Sequence, residues 1–234
     1  MAASPGGMPA GGAAKSAGRE RGLERDVVVT VALKLLDDVG FGGLTLRRLA
    51  ERLKVKAAAL YWHFENKQDL IDAMAERIML TEFQNAHPKS TEWRDLLTMV
   101  AYTNRRALMR YRDGAQVVAH ANMRHDHMLA GLELLLKSLE AQGFTLQQAT
   151  SGFFTIIRFT IGCVFEEQTD PRNHDPTSAE KKAKHLQRFA KSHPTVAAAF
   201  AETMFGSGKG PDHMFQQGLT LILDGMALQH GKSA

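Results

Sequence analysis

Between Arg47 and Lys67 the chain gathers six cations, Arg47, Arg48, Arg52, Lys54, Lys56 and Lys67, against two carboxylates, Glu51 and Glu65. A compact positive patch of this kind is suited to the phosphates of a nucleic acid. Within it, Tyr61, Trp62 and His63 stand side by side, and their planar amphipathic side chains can contact sugar, phosphate or base edges. Arg47 can present two donors to O6 and N7 of a guanine. Ala57, Ala58 and Ala59 carry only methyl groups, which can touch thymine methyls but form no hydrogen bonds. The plainer alternative is an ordinary surface helix pair whose aromatics belong to a core.

The elements that must position these groups can be read from periodicity. Thr45 is a natural N-cap, and Leu46, Leu49, Ala50 and Leu53 follow at helical spacing, with the arginines on other faces. Lys54-Val55-Lys56 breaks the pattern as a short turn. A second helix is expected from Ala57 to His63, with Leu60 and Phe64 facing inward. Two short helices joined by a tight turn make a helix-turn-helix. Before it, Val28, Val31, Ala32, Leu35, Leu36 and Val39 define a helix over Asp26 to Val39, closed by Gly40. After it, Asn66-Lys67 opens a fourth helix with Leu70, Ile71, Met74, Ile78 and Met79 on its buried side. That helix is placed to act as a lever between this unit and the rest of the chain.

The remainder reads as helices with polar joints, and the expected fold is all-α. Helices are expected over Trp93–Tyr111, from Ala115, over Met128–Gln142, from Thr145 to about Gln168, over His185–Met204 and over Asp212–Gln229. The expected organisation is an arm at residues 1–22, a DNA-binding unit at 23–70 and a larger helical unit at 71–234. The arm is Ala, Gly, Ser and Pro with a few charges and cannot order itself. Arg19, Arg21 and Arg25 at its end either add phosphate contacts or belong to a solvated tail. Nothing in the arm resembles a signal peptide. The single cysteine, Cys163, excludes a disulfide framework and a cysteine-rich zinc site, which fits a reducing, cytoplasmic setting. The longest apolar run, Gly152 to Phe165, is interrupted by Arg158 and falls short of the roughly 20 residues of a membrane span. His120, His125, Asp126 and His127 match no strong zinc spacing, and no cofactor is expected. With no nucleophile elbow, phosphate loop or paired carboxylates, no enzyme is expected either.

The helix from Thr145 is apolar nearly all round, and the last helix carries more than one apolar stripe. Such helices are buried on several sides, in a monomer's core or between two subunits.

The run Gly40-Phe41-x-Gly43-Leu44-Thr45-Leu46-Arg47-Arg48-Leu49-Ala50, followed by Leu60-Tyr61-Trp62-His63-Phe64-x-Asn66-Lys67, resembles the DNA-binding domain of the tetracycline-repressor (TetR) family. Arg112-Asp113-Gly114-Ala115, Gln142-Gly143-Phe144-x-Leu146 and Phe159-Thr160-x-Gly162-Cys163-Val164-x-Glu166-x-Gln168 are similar to the C-terminal domain of its tetracycline-binding branch. The resemblance covers most of the chain. It implies a homodimer joined through a four-helix interface, in which an effector cavity sets the spacing of two recognition helices on double-stranded operator DNA. The DNA-facing residues it implies are Thr45, Arg47, Arg48, Lys56, Ala57, Ala58, Ala59, Tyr61, Trp62, His63 and Lys67.

The departures concern the effector. By the same resemblance, the histidine that binds the drug-borne magnesium falls on Val118, and a drug-contacting histidine falls on Phe83. The polar and aromatic contacts after the tryptophan fall on Val100 and Asn104, and another drug-facing histidine falls on Arg158. Only Glu166 is retained. Valine cannot ligate magnesium, so a tetracycline–magnesium complex is not the expected effector. The lining this implies is Phe83, Val100, Asn104, Val118, Met128, Phe153, Ile157, Arg158 and Glu166, suited to a hydrophobic or weakly acidic molecule. Arg158, within an apolar helix, needs a counter-charge, either a ligand or a structural partner such as Glu166, Glu167 or an acid of the other subunit. The competing view of the chain is a helical small-molecule-binding protein whose helix-turn-helix serves protein contacts.

Overall fold

A computed structural model describes residues 24–122, 126–169, 184, 187–188, 190–203 and 211–231. The expected arm, the polar stretch that follows Thr169, the joint before the last helix and His125 lie outside the described residues. The described residues include ten helices and no strand. They are α1 (Arg25–Gly43), α2 (Leu46–Leu53), α3 (Ala57–Leu60), α4 (Lys67–Phe83), α5 (Trp93–Met109), α6 (Gly114–Ala119), α7 (Asp126–Ala141), α8 (Leu146–Thr169), α9 (Pro194–Thr203) and α10 (Pro211–His230).

Local chemistry accounts for the boundaries. Thr45 Oγ1 accepts from the Arg48 amide at 3.2 Å, which caps α2. Lys54 takes the left-handed conformation (φ 57°) that ends it. Asn66 caps α4 by accepting from the Asp69 amide at 3.0 Å. Thr145 and Gln148 form a reciprocal capping box at the start of α8. Gly40 interrupts α1 at φ 70° and ψ 174°, a conformation essentially reserved for glycine. Two expectations need adjusting. The second helix of the pair ends at Leu60 rather than His63, although His63 and Phe64 amides still donate to the Leu60 carbonyl. The helix expected over His185–Met204 breaks into a turn at Lys191 and Ser192, because Pro194 lacks an N–H and opens a new helix instead.

Two apolar cores hold these helices. One joins Val28, Leu36, Leu49, Leu60, Phe64, Leu70, Met74 and Ile78 of the segment from α1 to α4 to Leu108, Val117, Val118 and Val164 of α5, α6 and α8. The other packs Leu97 and Ala101 of α5, Leu139 of α7 and Ile156 of α8 against Phe215, Leu219 and Leu223 of α10. Helix α4 therefore belongs to the first core along its whole buried side. α10 comes so close to α8 that a Cβ on Gly218 would collide with the Phe159 ring.

Candidate DNA-facing surface and effector region

The helix-turn-helix presents the expected groups outward. Thr45, Arg47, Arg48, Lys56, Ala57, Ala58, Tyr61, Trp62 and Lys67 are exposed, while Ala59 and His63 are half-buried. Leu60 and Phe64 are fully buried, so the aromatics beside them do not form a core. Trp62 is 89% and Tyr61 58% exposed, which leaves two large rings in water unless a partner covers them. The cations differ in how freely they can reach phosphate. Arg47 holds a solvent-exposed pair with Glu51 at 3.1 Å, a contact too weak to withhold it from a better partner. Arg48 donates to the Gly43 carbonyl, Arg52 pairs with Asp38, and Lys67 lies over the Phe41 ring at 5.4 Å. Arg25 is committed inward: it pairs with Asp69 at 2.7 Å and stacks over Phe64.

This unit is fastened to the next by polar contacts at two points. At the first, Asp113, itself left-handed at φ 56°, accepts from the Phe41 amide at 2.8 Å, and the Arg112 amide donates to Asp37 at 2.9 Å. A Cβ on Gly40 would lie 2.8 Å from Asp113 Oδ2, so the break in α1 makes room for this carboxylate. At the second, Gln68 donates to Asp72 and to the His120 carbonyl, and the Asn122 amide donates to Asp72 at 2.8 Å. His120 stacks against Phe41 with ring centroids 4.8 Å apart. Both points join α1 and α4 to the segment around α6. Sequence reasoning misses Asp113, Gln68 and Asp72 in these roles, because their partners are distant in sequence.

The residues expected to line an effector site divide into three groups. Val118 belongs to the first core, and Phe83 and Met128 are partly buried against that core. Val100 and Asn104 are buried one turn apart on α5. Phe153 and Ile157 are half-buried on α8, whereas Arg158 and Glu166 are exposed. Arg158 makes no ion pair among the described residues. Its guanidinium lies 5.3 Å from the Phe154 ring on an exposed face of α8. Glu167 pairs with Arg105 of α5 instead, through two contacts of 2.7 and 2.9 Å, and Arg105 also reaches Asp212 at 2.6 Å. Burial alone would weaken the Arg105 guanidinium's hold on its proton, but hydrogen bonds and charge from Glu167 and Asp212 outweigh it and raise the pKa. Burial, with Glu167 and Glu166 nearby, pushes the Cys163 thiol up and disfavours its thiolate.

Two open pockets lie elsewhere. One of about 460 Å³ is lined by Asn85, His87, Lys89, Tyr102 and Arg106, among others, and one of about 500 Å³ by Trp93, Gln142 and His230. Among the described residues, no group of His, Cys, Asp and Glu could hold a metal ion, and no helix is long and apolar enough to cross a membrane.

Comparison with known proteins agrees with this arrangement. Residues 28–74 match the family described as bacterial regulatory proteins, tetR family, and residues 86–230 match the tetracyclin repressor-like C-terminal domain. The chain is 37% identical to the class C tetracycline repressor protein of Escherichia coli over 206 residues, 87% of this chain and 90% of that protein. It is 39% identical to the class A protein from transposon 1721, also of Escherichia coli, over 88% of this chain and 91% of that one. The crystal structure of a possible TetR family transcriptional regulator from Streptomyces coelicolor A3(2) superposes with a TM-score of 0.74 at 30% identity, over 88% of this chain and 99% of that one. An all-helical chain with a helix-turn-helix at one end and this likeness along most of its length belongs to the TetR family of transcriptional regulators, which are not enzymes.

Proposed function

We propose that this chain represses transcription as a homodimer bound to a palindromic operator, and that a small hydrophobic molecule releases it. The observation that carries the reading is the outward display of Trp62, Tyr61 and Arg47 on a helix-turn-helix whose Leu49, Ala50, Leu60 and Phe64 are buried on the opposite side. Arg47 reads a guanine, Ala57, Ala58 and Ala59 meet thymine methyls, and Thr45, Arg48, Lys56, Tyr61, Trp62, His63 and Lys67 hold the backbone. Dimerisation is supported by the apolar residues a single chain leaves in water. Phe154 and Phe165 are exposed on α8, and Met214, Leu221 and Leu228 are exposed at seven-residue intervals along α10. A two-fold dimer built on these faces would set its recognition helices about 34–36 Å apart, one turn of DNA.

The effector enters among Phe83, Val100, Asn104, Val118, Met128, Phe153 and Ile157. Because α4 is fastened to the α6 segment through Gln68, Asp72 and His120, a ligand that favours one position of α6 also favours one position of α4. Arg158 and Glu166 lie on the α8 face that meets the partner subunit in such a dimer. Selection from random duplexes, followed by sedimentation, tests the reading. The expected result is a palindrome bound by two protomers, with Leu221→Asp reducing the protein to monomers and abolishing tight binding. Enrichment of no duplex, or tight binding of one protomer to a non-palindromic site, would overturn it.

A further inference from the structure

We propose that the cavity of about 460 Å³ between the α4–α5 connection and α5 is a second ligand site, and that it takes a small monocarboxylate carried on an apolar ring. The inference concerns a cavity apart from the expected effector region and does not rest on the proposed operator.

The cavity includes none of the residues expected to line the effector region. On α5 it is built on Met99, Tyr102, Thr103 and Arg106, which follow one another at i, i+3, i+4 and i+7 and so share one face. Val100 and Asn104 stand on another face of the same helix. The opposite wall comes from the connection after α4, with His87 and Lys89. Met99 and Tyr102 are half-buried and supply an apolar floor. The Tyr102 ring is held edge-on against Phe215, with centroids 5.4 Å apart.

Charge selects an acid for this space. Lys89 is exposed and has no ion pair or hydrogen bond among the described residues. Arg106 donates to Thr103 Oγ1 at 3.0 Å and holds Glu82, in the last turn of α4, only loosely at 3.6 Å. Arg110 holds the same carboxylate at 2.9 Å, so Glu82 keeps a cation if Arg106 turns away. Asp95, the acid in the lining, accepts from the Ser90 hydroxyl at 2.6 Å. Three full cations, Lys89, Arg106 and Arg110, therefore stand against two carboxylates, Glu82 and Asp95. One positive charge is left over, which matches a monoanion. Glu82 itself shows that a carboxylate is a partner Arg106 accepts, and a guanidinium binds such a group through paired donors. A bound acid takes Arg106 from Glu82 while its ring lies on Met99 and Tyr102. Helix α4 then loses one of the two arginines that hold its last turn.

The test uses the full chain in isothermal titration calorimetry at constant ionic strength, with benzoate and 2-naphthoate as probes. Each is compared with its neutral amide, benzamide or 2-naphthamide, which keeps the ring and loses the charge. At least one carboxylate should bind about tenfold or more tightly than its amide. Arg106→Gln should weaken that binding by about tenfold or more. Lys89→Glu, which alters an exposed side chain with no partner to lose, should weaken it by at least about fivefold. Glu82→Gln removes the competing carboxylate and should tighten it by about two- to fivefold. The proposal is overturned if neither acid binds better than its amide, or if an acid binds Lys89→Glu and Arg106→Gln as it binds the wild type. Weaker binding to Glu82→Gln would also overturn it, because the acid would then not be competing for Arg106.

Discussion

The two ends of this molecule solve opposite problems with polar side chains. At the DNA-facing end, Arg47, Lys56, Tyr61 and Trp62 are exposed, and their positions are set by nearby caps and turns such as Thr45, Lys54 and Asn66. At the seam between the cores, Arg105 and Asn104 are buried on one helix, and their state depends on residues far away in the chain. Exposed groups can be exchanged with little effect on the fold and a large effect on binding. Buried ones cannot, since each carries the cost of lost hydration unless a partner offsets it.

That contrast orders the expected effects of substitution. The largest belongs to Arg105→Ala, which removes the buried guanidinium paired with Glu167 and Asp212 and should cost about 3–5 kcal/mol in urea unfolding. A loss below about 1 kcal/mol would mean that the seam does not depend on its ions. Gly40→Ala should follow, at about 1–3 kcal/mol, from a backbone conformation that alanine resists and a Cβ facing Asp113. Arg47→Ala should leave the unfolding curve in place yet weaken the selected operator by about 10- to 100-fold, chiefly at the base pair that Arg47 reads. Smallest of all, Glu51→Gln should change stability by less than about 0.5 kcal/mol, because the pair it breaks is solvent-exposed. Its operator affinity should rise rather than fall, since a carboxylate near the phosphates is removed. A fall would mean that the Glu51 pair orients Arg47 for binding.

The same contrast explains which parts of the molecule are legible in the sequence. The helix-turn-helix, its caps and the stop at Gly40 follow from residues within a few positions of one another, and periodicity with capping chemistry identifies them. Periodicity carries the second helix of the pair three residues too far, because the turns at His63 and Phe64 share the helix's hydrogen-bond direction. Resemblance marks Asn104 as a wall of the effector region, but not as a group without partners, since that depends on what the neighbouring helices bring to it. An apolar pattern on every side of α8 suggests that Arg158 lies inside. One of those apolar faces, with Phe154 and Phe165, is open in the single chain, and Arg158 lies on it. Periodicity reports how apolar a face is, whereas the covering element is set by packing over long sequence distances. Asp113 is visible within a turn, and its role in receiving the Phe41 amide is not.

The central claim is that the exposed basic and aromatic surface around Arg47 and Trp62 is a DNA-reading surface. The most direct measurement is fluorescence anisotropy of a duplex selected from random sequence, titrated with wild type and Arg47→Ala at a series of salt concentrations. If the account holds, log Kobs falls steeply and linearly with log salt, each neutralised phosphate adding about −0.9 to the slope, and Arg47→Ala binds more weakly. Binding that ignores both salt and the substitution would contradict it, and would give this surface to a protein partner instead.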